Sequence, residues 1–343
     1  MADKVTIADV ARHAGVSRQT VSNVLNAPEL VREHTQRRVL EAVQALGYRA
    51  SQAARQMRTG RSQLIAARIE PAQDDGINGF VFDRFLHGLT ESAALAGYRV
   101  LLYTAADHEA ELATFDDLLG VYVPDAFVLT SLDYGDPRPA WLLEQRIPFV
   151  TFGRPWGVPP AQRYPWVDVD GAAGTAAATR YLLDAGHRRI GFLGWPAGSG
   201  VGDDRREGWA RTLTAAGAEP AELAELDYRT DDGAPHGEAA ARALLDRDRP
   251  VTALVCVSDS LALGALQAGR GIAVIGFDDT PVARAVGLTS VSQPLSEVAT
   301  RCVSLLTRAL DGNGAGARAR ETQAYDTGTE VLLRPSLVRR RSA

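Results

Sequence analysis

Arg18, Gln19 and Asn23 lie close together on one short helical run, and each carries a side chain able to bond the edge of a base pair. Arginine presents two donors matched to guanine O6 and N7, and glutamine or asparagine matches adenine N6 and N7, each pair discriminating by about 1–3 kcal/mol. Thr6, Ser17, Ser22, Asn26 and Thr35 are short polar groups suited to phosphate oxygens, where they fix register and carry little sequence information. The same residues would also serve as ordinary caps and solvated side chains of a small helical bundle. The elements that hold them separate the two accounts.

Thr6 with Asp9 three residues on reads as a helix start, with Val5 and Val10 at the two staple positions. That helix is expected to end near Ala14, because Gly15 supplies a positive-φ turn residue. Ser17 then caps a second helix whose staple pair is Val16 and Val21. Neither helix is long enough to stand alone. Ala8, Val10, Ala11, Val21, Val24 and Leu25 give them apolar faces, and the segment around Val39, Leu40, Val43 and Leu46, closed by Gly47, predicts the third helix they pack against. Turn glycine, caps, staples and a polar reading face together spell a helix-turn-helix whose second helix enters the major groove.

The runs Val5-Thr-Ile-Ala-Asp-Val-Ala, Ala14-Gly-Val-Ser, Thr20-Val-Ser, Val24-Leu-Asn and Leu46-Gly-Tyr resemble the lactose-repressor (LacI/GalR) family of bacterial transcription regulators. The resemblance continues through Asp170-Gly, Gly186-His-Arg-Arg-Ile-Gly-Phe-Leu-Gly and Ser258-Asp-Ser-Leu-Ala-Leu-Gly-Ala. It ends with Val274-Ile-Gly-Phe-Asp-Asp, Leu288-Thr-Ser-Val-Ser-Gln-Pro and Leu333-Arg-Pro-Ser-Leu. It implies three parts: a helix-turn-helix head over 1–48, a hinge over 49–62, and a two-lobed, periplasmic-binding-protein-like effector and dimerisation domain over 63–343. In the family the hinge helix folds on operator DNA as a dimer pair and wedges a side chain into the minor groove, which places Ala54 and Met57 there. The family usually has Leu at the wedge and Pro-Asn where this chain has Ala50-Ser51. A plain interdomain linker helix is the competing account of this segment.

Charge agrees with a split molecule. The whole chain of 343 residues has a net charge of −5, yet residues 1–62 carry ten basic residues (Lys4 and nine Arg) against five acidic, a net of +5 that leaves −10 for the rest. A basic end neutralises phosphates while an acidic remainder limits adventitious DNA contact. The hydrophobic content of 45% and charged content of 23% are those of a globular protein large enough for two or three domains. No leader or membrane-spanning run is read at the start or along the chain, so a cytoplasmic protein is expected. Cys256 and Cys302 have no C-x-x-C spacing, and neither a disulfide, a metal site nor a cofactor is expected.

Beyond the hinge, short apolar runs alternate with amphipathic ones. Strands are expected at 64–69, 100–103, 126–129, 149–152, 189–193, 253–257 and 272–277, with helices over 85–96, 171–185 and 203–216, and a last pair of strands after Gly312. That rhythm predicts parallel sheets with helices on both faces, in lobes of roughly 63–152 plus 292–330 and 166–290. Ligands sit at the carboxyl ends of parallel strands, which in two lobes face one cleft. The resemblance places Arg205, Ser258, Asp259, Asp278 and Gln293 at effector positions; Asp259 would equally cap the following helix. Phe82, Trp195 and Trp156 offer aromatic faces, although isolated aromatics also serve as core, and Arg154 is either a pocket cation or a surface residue.

The function expected is therefore sequence-specific DNA binding by a homodimeric repressor, released from double-stranded operator DNA by a small sugar or glycoside. A purine-type corepressor is the alternative within regulators. A solute-binding protein lacks a use for the basic head. An enzyme is disfavoured because H-E-x-x-H, G-x-S-x-G and Walker A patterns are missing, and because adjacent pairs such as Asp203–Asp204 or Asp278–Asp279 cannot straddle a glycosidic bond about 5–9 Å across without a splayed loop.

Overall fold

The computed structural model describes residues 5–48, 60–69, 79–159, 164–269, 271–312 and 329–343, and the chain forms two compact units, Met1–Ser62 and Gln63–Ala343. In the first unit the described α-helices are α1 (Ile7–Ala14), α2 (Arg18–Asn26) and α3 (Glu33–Ala45), with a 3-10 turn at Pro28–Leu30. The Thr6 amide and hydroxyl both donate to the Asp9 carboxylate at 2.9 and 2.6 Å, which holds that carboxyl below its ordinary pKa. Gly15 (φ +63°) ends α1, and the Ser17 hydroxyl accepts the Thr20 amide at 3.0 Å to start α2. Arg38 on α3 reaches back to the carbonyls of Ala14 and Gly15 at 2.5 and 3.2 Å, satisfying the α1 end that the turn exposes. Val10, Val21, Val24, Val39 and Ala42 form the core. Leu40, expected on the inner face of α3, is half exposed instead, because Val39 and Ala42 set the buried stripe and position 40 lies about 100° round from Val39.

The central strands of the second unit, such as Ala126–Leu129 and Ala253–Cys256, are continuous apolar runs, as parallel strands covered on both faces must be. The first sheet contains β1 (Leu64–Arg68), β2 (Arg99–Tyr103), β3 (Ala126–Leu129), β4 (Phe149–Phe152), β5 (Trp166–Val169) and β11 (Glu330–Leu333), in the all-parallel order β11-β5-β4-β3-β1-β2. The second contains β6 (Ile190–Gly194), β7 (Asp227–Arg229), β8 (Ala253–Cys256), β9 (Ala273–Phe277), β10 (Thr289–Ser292) and β12 (Ser336–Val338), in the order β12-β10-β9-β8-β6-β7. Only β12 is antiparallel among these described strands. Helices α4 (Gly79–Leu95), α5 (His108–Val121), α6 (Pro137–Glu144) and α13 (Leu295–Gly312) cover the first sheet. Helices α7 (Gly171–Asp184), α8 (Gly200–Ala215), α9 (Pro220–Leu226), α10 (Ala234–Leu245), α11 (Asp259–Ala268) and α12 (Pro281–Val286) belong to the second lobe.

Two expectations change. Trp166–Val169, assigned by sequence to the second lobe, is a buried strand of the first sheet, so the chain crosses between lobes at Asp170–Gly171 rather than before 166. The last two strands do not pair with each other: β11 runs parallel to β5, Arg334–Pro335 carries the chain across, and β12 pairs with β10. Pro335 has no amide hydrogen with which to continue a ladder, and it marks that crossing. The return from the second lobe lies between β10 and α13. The tail is tied to the second sheet through Ser342, whose hydroxyl accepts the Thr289 amide at 2.8 Å and donates to the Val274 carbonyl at 2.6 Å.

Helices α10 and α11 pack backbone to backbone at reciprocal glycines. A Cβ on Gly264 would lie 1.9 Å from the Ala234 carbonyl oxygen, and one on Gly237 would lie 2.1 Å from that of Leu261. Gly264→Ala is expected to destabilise the second unit by about 1–3 kcal/mol or more. Gly120→Ala in α5, where nothing lies within 4 Å of the new methyl, is expected to gain about 0.4–1 kcal/mol. Urea unfolding midpoints of the two variants measure the contrast.

Candidate DNA-reading face and ligand cleft

On the head, Arg18 and Gln19 are exposed at the start of α2 and Asn23 is partly exposed one turn on. The Gln19 side-chain amide donates to Asn23 Oδ1 at 2.9 Å, so these two candidate readers form a pair before any ligand arrives. Thr6 and Ser17 act first as caps, through the bonds given above. Asn26 donates to the Ser22 carbonyl at 2.7 Å, and the Thr35 hydroxyl lies 3.3 Å from His34 Nε2. Thr6, Ser17, Asn26 and Thr35 therefore sit at helix ends, and Ser22 lies midway along α2. Ala54 and Met57, the minor-groove candidates, lie outside the described residues.

In the second unit the carboxyl ends of both sheets open onto a cavity of about 610 Å³. Of the effector candidates, Phe82, Arg154, Trp195, Arg205, Asp278 and Gln293 line it. Arg205, on the second turn of α8, is buried with its guanidinium 3.7 Å from the centre of the Phe277 ring and donates to the Val257 carbonyl at 2.5 Å and to Asp278 at 3.5 Å. Gln293 donates to the same Asp278 oxygen at the shorter distance of 2.7 Å. Burial raises the Asp278 pKa, and Arg205 and Gln293 oppose the rise.

Arg154 is neither a free pocket cation nor a surface residue. Its Nε donates to Asp168 on β5 and its Nη2 to Asp204 on α8, both at 2.7 Å, and its guanidinium stacks 4.6 Å from the Trp156 ring centre. Burial works against its charge, yet the two carboxylates hold its pKa above the ordinary value. Because Asp168 belongs to the first sheet and Asp204 to the second lobe, this one side chain ties the lobes together. Trp156 adds a second tie by lying flat on Gly200 at the start of α8, where a Cβ would come within 2.3 Å of the ring.

Residues 6–51 match the model of the bacterial regulatory proteins, lacI family, and residues 179–343 match a periplasmic binding protein-like domain. The HTH-type transcriptional regulator CelR of Thermobifida fusca is 33% identical over 319 residues, spanning 90% of this chain and 92% of its own. The chain belongs to the LacI family of bacterial transcriptional regulators. The regulator GalS of Salmonella typhimurium is similar at 33% identity, over 98% of this chain and 96% of its own. Among solved structures, a transcriptional regulator CelR–cellobiose complex superimposes with a TM-score of 0.70 at 31% identity, covering 99% of this chain and 100% of that one. As a LacI-family member the protein is a DNA-binding transcriptional regulator, and among its described residues no helix is long and apolar enough to cross a membrane.

Two effector candidates do not line the cleft of this LacI-family chain. Ser258 caps α11 by accepting the Leu261 amide at 3.2 Å, and its hydroxyl donates at 2.6 Å to Asp232, which does line the cleft. Asp259 is buried beneath the cleft floor, where its carboxylate accepts the Thr280 amide at 2.7 Å and the Ser290 hydroxyl at 2.6 Å. It fastens the end of β9 to β10 and α11 and caps nothing. Sequence reasoning passed over Asp168, Asp204 and Asp232 as ligand-facing groups. An aspartate inside the apolar run Trp-Val-Asp-Val was a signal for the first, and no pattern marked the third.

The cleft wall after β3 depends on a buried charge cluster that also had no sequence signature. Arg138, fully buried on α6, donates to the carbonyls of Thr130 and Ser131 at 2.9 and 3.1 Å and pairs with Asp136 and Glu111. Glu111 also accepts from Arg68 at 2.9 Å and from the Tyr103 hydroxyl at 2.7 Å. This network fixes Thr130 and Ser131, the latter at φ +53°, against the cavity.

Burial, and after it the charge of Asp278, pushes the Asp259 carboxyl up to about 7. An acid raised in the folded state contributes stability that is complete below its ordinary value near 3.8 and is lost as pH rises to about 7. Asp259→Asn, which keeps the neutral shape, is therefore expected to gain stability relative to the parent as pH rises from about 4 to above 7. Denaturant midpoints across that range test this, and parallel profiles for the two proteins would contradict it.

Proposed function

We propose that this regulator acts in the cytoplasm as a homodimeric repressor that a small sugar or glycoside, bound between the lobes, releases from its operator. In this reading residues 1–48 are the reading head, 49–62 the hinge that carries Ala54 and Met57, and 63–343 the sensing and dimerisation domain. The observation that carries the proposal is the cleft: Phe82 and Arg154 from the first lobe, and Trp195, Arg205 and Asp278 from the second, line one open cleft of a size that suits small-molecule ligands. The similar CelR complex holds cellobiose, which supports a sugar here. Dimerisation would set two heads on a near-palindromic site, the geometry by which such heads gain affinity. Ligand control needs a binding difference between lobe arrangements, commonly worth about 1–3 kcal/mol.

Catalysis has no part in this reading. Asp204 is occupied by Arg154 and the Ala172 amide, Asp203 by Arg229, and Asp279 by Arg284 and Arg340. The neighbouring acids are thus turned to separate structural partners.

Fluorescence anisotropy on DNA from upstream of its own gene, against random DNA, tests the reading. Tight, sequence-dependent binding that a sugar reverses is expected. A nucleobase that tightens binding would replace the inducer part, and equal affinity for random DNA would remove the operator part. Arg18→Ala and Gln19→Ala should each lose about 1–3 kcal/mol of discrimination at one base position. Because Gln19 holds Asn23, the Gln19 and Asn23 substitutions should be non-additive, whereas Arg18 and Asn23 should add.

A further inference from the structure

Resting on the reading of this chain as a regulator whose cleft governs DNA binding, we infer that Asp125 is a positioning residue through which the cleft wall sets the direction of the chain between the hinge and the first sheet. The observation is a grip on Gln63, the residue just before β1. Its amide donates to Asp125 Oδ2 at 2.8 Å, and its carbonyl accepts the Arg99 amide at 2.9 Å. Both polar groups of the Gln63 main chain are therefore held, one by the residue that precedes β3 and one by the first residue of β2. On the β3 side the register begins only at Ile65 opposite Ala126, and the Asp125 amide reaches the Leu64 carbonyl at 2.9 Å. The carboxylate thus extends the hold one residue further toward the hinge, to an amide that the ladder with β3 does not use.

The backbone is bent to make this grip. Gln63 has φ +58°, and Val123, two residues before the carboxylate, has φ +50°. Left-handed backbone is uncommon away from glycine and an outlier in a β-branched residue. Val123 also precedes Pro124, which favours extended backbone in the residue before it. Strain of this kind persists only where the surroundings determine the conformation, and two such residues meet here through one carboxylate.

From Gln63 and Asp125 two adjacent strands run without a break to the cleft. β1 and β3 are paired in parallel, and Ile65–Ala67 and Ala126–Leu129 are buried. At about 3.3 Å per residue, each segment carries the chain roughly 20 Å. One ends at Ile69 and the other at Thr130 and Ser131, all of which line the cavity. There the strands are joined again by charge: Arg68 and Arg138 both pair with Glu111, and Arg138 holds the Thr130 and Ser131 carbonyls. Close-packed strands tied at both ends transmit displacement rather than absorb it. A shift of the cleft wall therefore turns Asp125, and with it the chain at Gln63.

A double-mutant cycle on the full chain tests this, read by fluorescence anisotropy on DNA from upstream of its own gene. The second site is Arg154→Ala, which cuts the tie between the lobes at the opposite end of the first sheet. In the parent this cut is expected to change the affinity for that DNA about fivefold or more. In an Asp125→Ala background the same cut is expected to change it by less than about twofold, whereas independent sites so far apart would add and give the same change in both. Asp125→Val, which cannot accept the Gln63 amide but favours the strand that follows, should behave as Asp125→Ala does, and circular dichroism checks the fold of both. Asp125→Asn keeps an oxygen for the Gln63 amide and should restore the full change. Equal changes in the parent and in the truncated backgrounds, or an asparagine variant that behaves as the alanine one, overturn the inference and leave the regulator reading in place. An Arg154→Ala cut that changes nothing in the parent overturns the reading that the cleft governs DNA binding, and the inference with it.

Discussion

The guanidinium of Arg154 is held by one carboxylate from each lobe, and the relation between the two sheets rests on it. Asp168 and Asp204 each accept from it at 2.7 Å, and Trp156 covers it while pressing on Gly200 of the opposite lobe. The Arg154 side chain keeps 22% of its surface exposed, so removing one carboxylate costs less than the roughly 3–5 kcal/mol of a fully buried pair. Gly171, at the crossing itself, is packed by the same elements: a Cβ there would lie 2.9 Å from both Asp204 and Arg205. Any movement of the lobes must therefore break or re-form this bridge, and it lies against the cavity where a ligand would be felt.

Both lobes bring charged groups to that cavity, and the second builds its own around one turn. The turn after β9 places Asp278 and Asp279 successively at positive φ (102° and 51°), a conformation that costs about 1–3 kcal/mol per residue and persists only when its surroundings determine it. They do so here: the Asp278 amide donates to the Val291 carbonyl, the Asp279 amide to the Ser290 hydroxyl, and Asp259 takes the Thr280 amide. The turn aims Asp278 at Arg205 and Gln293 in the cleft and sends Asp279 away to Arg284 and Arg340. A buried acid beneath the floor and strain above it are thus parts of one arrangement that presents a single carboxylate to the ligand side.

The head follows a different logic, because nearly all its determinants are local. Thr6 with Asp9, Gly15, and Ser17 with Thr20 satisfy their own helix ends within a few residues, so the pattern that builds the turn is written contiguously. Arg38 is the exception. It reaches the α1 carbonyls from α3, and nothing in its neighbours announces that contact.

From the sequence alone came the helix-turn-helix with its caps and its exposed Arg18 and Gln19, the strands β3 and β4 at their observed limits, and the parallel two-lobed class. These rest on periodicity and on capping chemistry, which act over a few residues. The tertiary structure alone decided that β5 belongs to the first sheet, that β11 and β12 part company, that Asp259 lies beneath the cleft rather than in it, and that Arg154 bridges the lobes. Each of those depends on partners tens or hundreds of residues away, such as Val331 for Val167, Ser290 for Asp259 and Asp204 for Arg154. A residue type states what a side chain can bond, and only the packed chain determines which partner comes within reach.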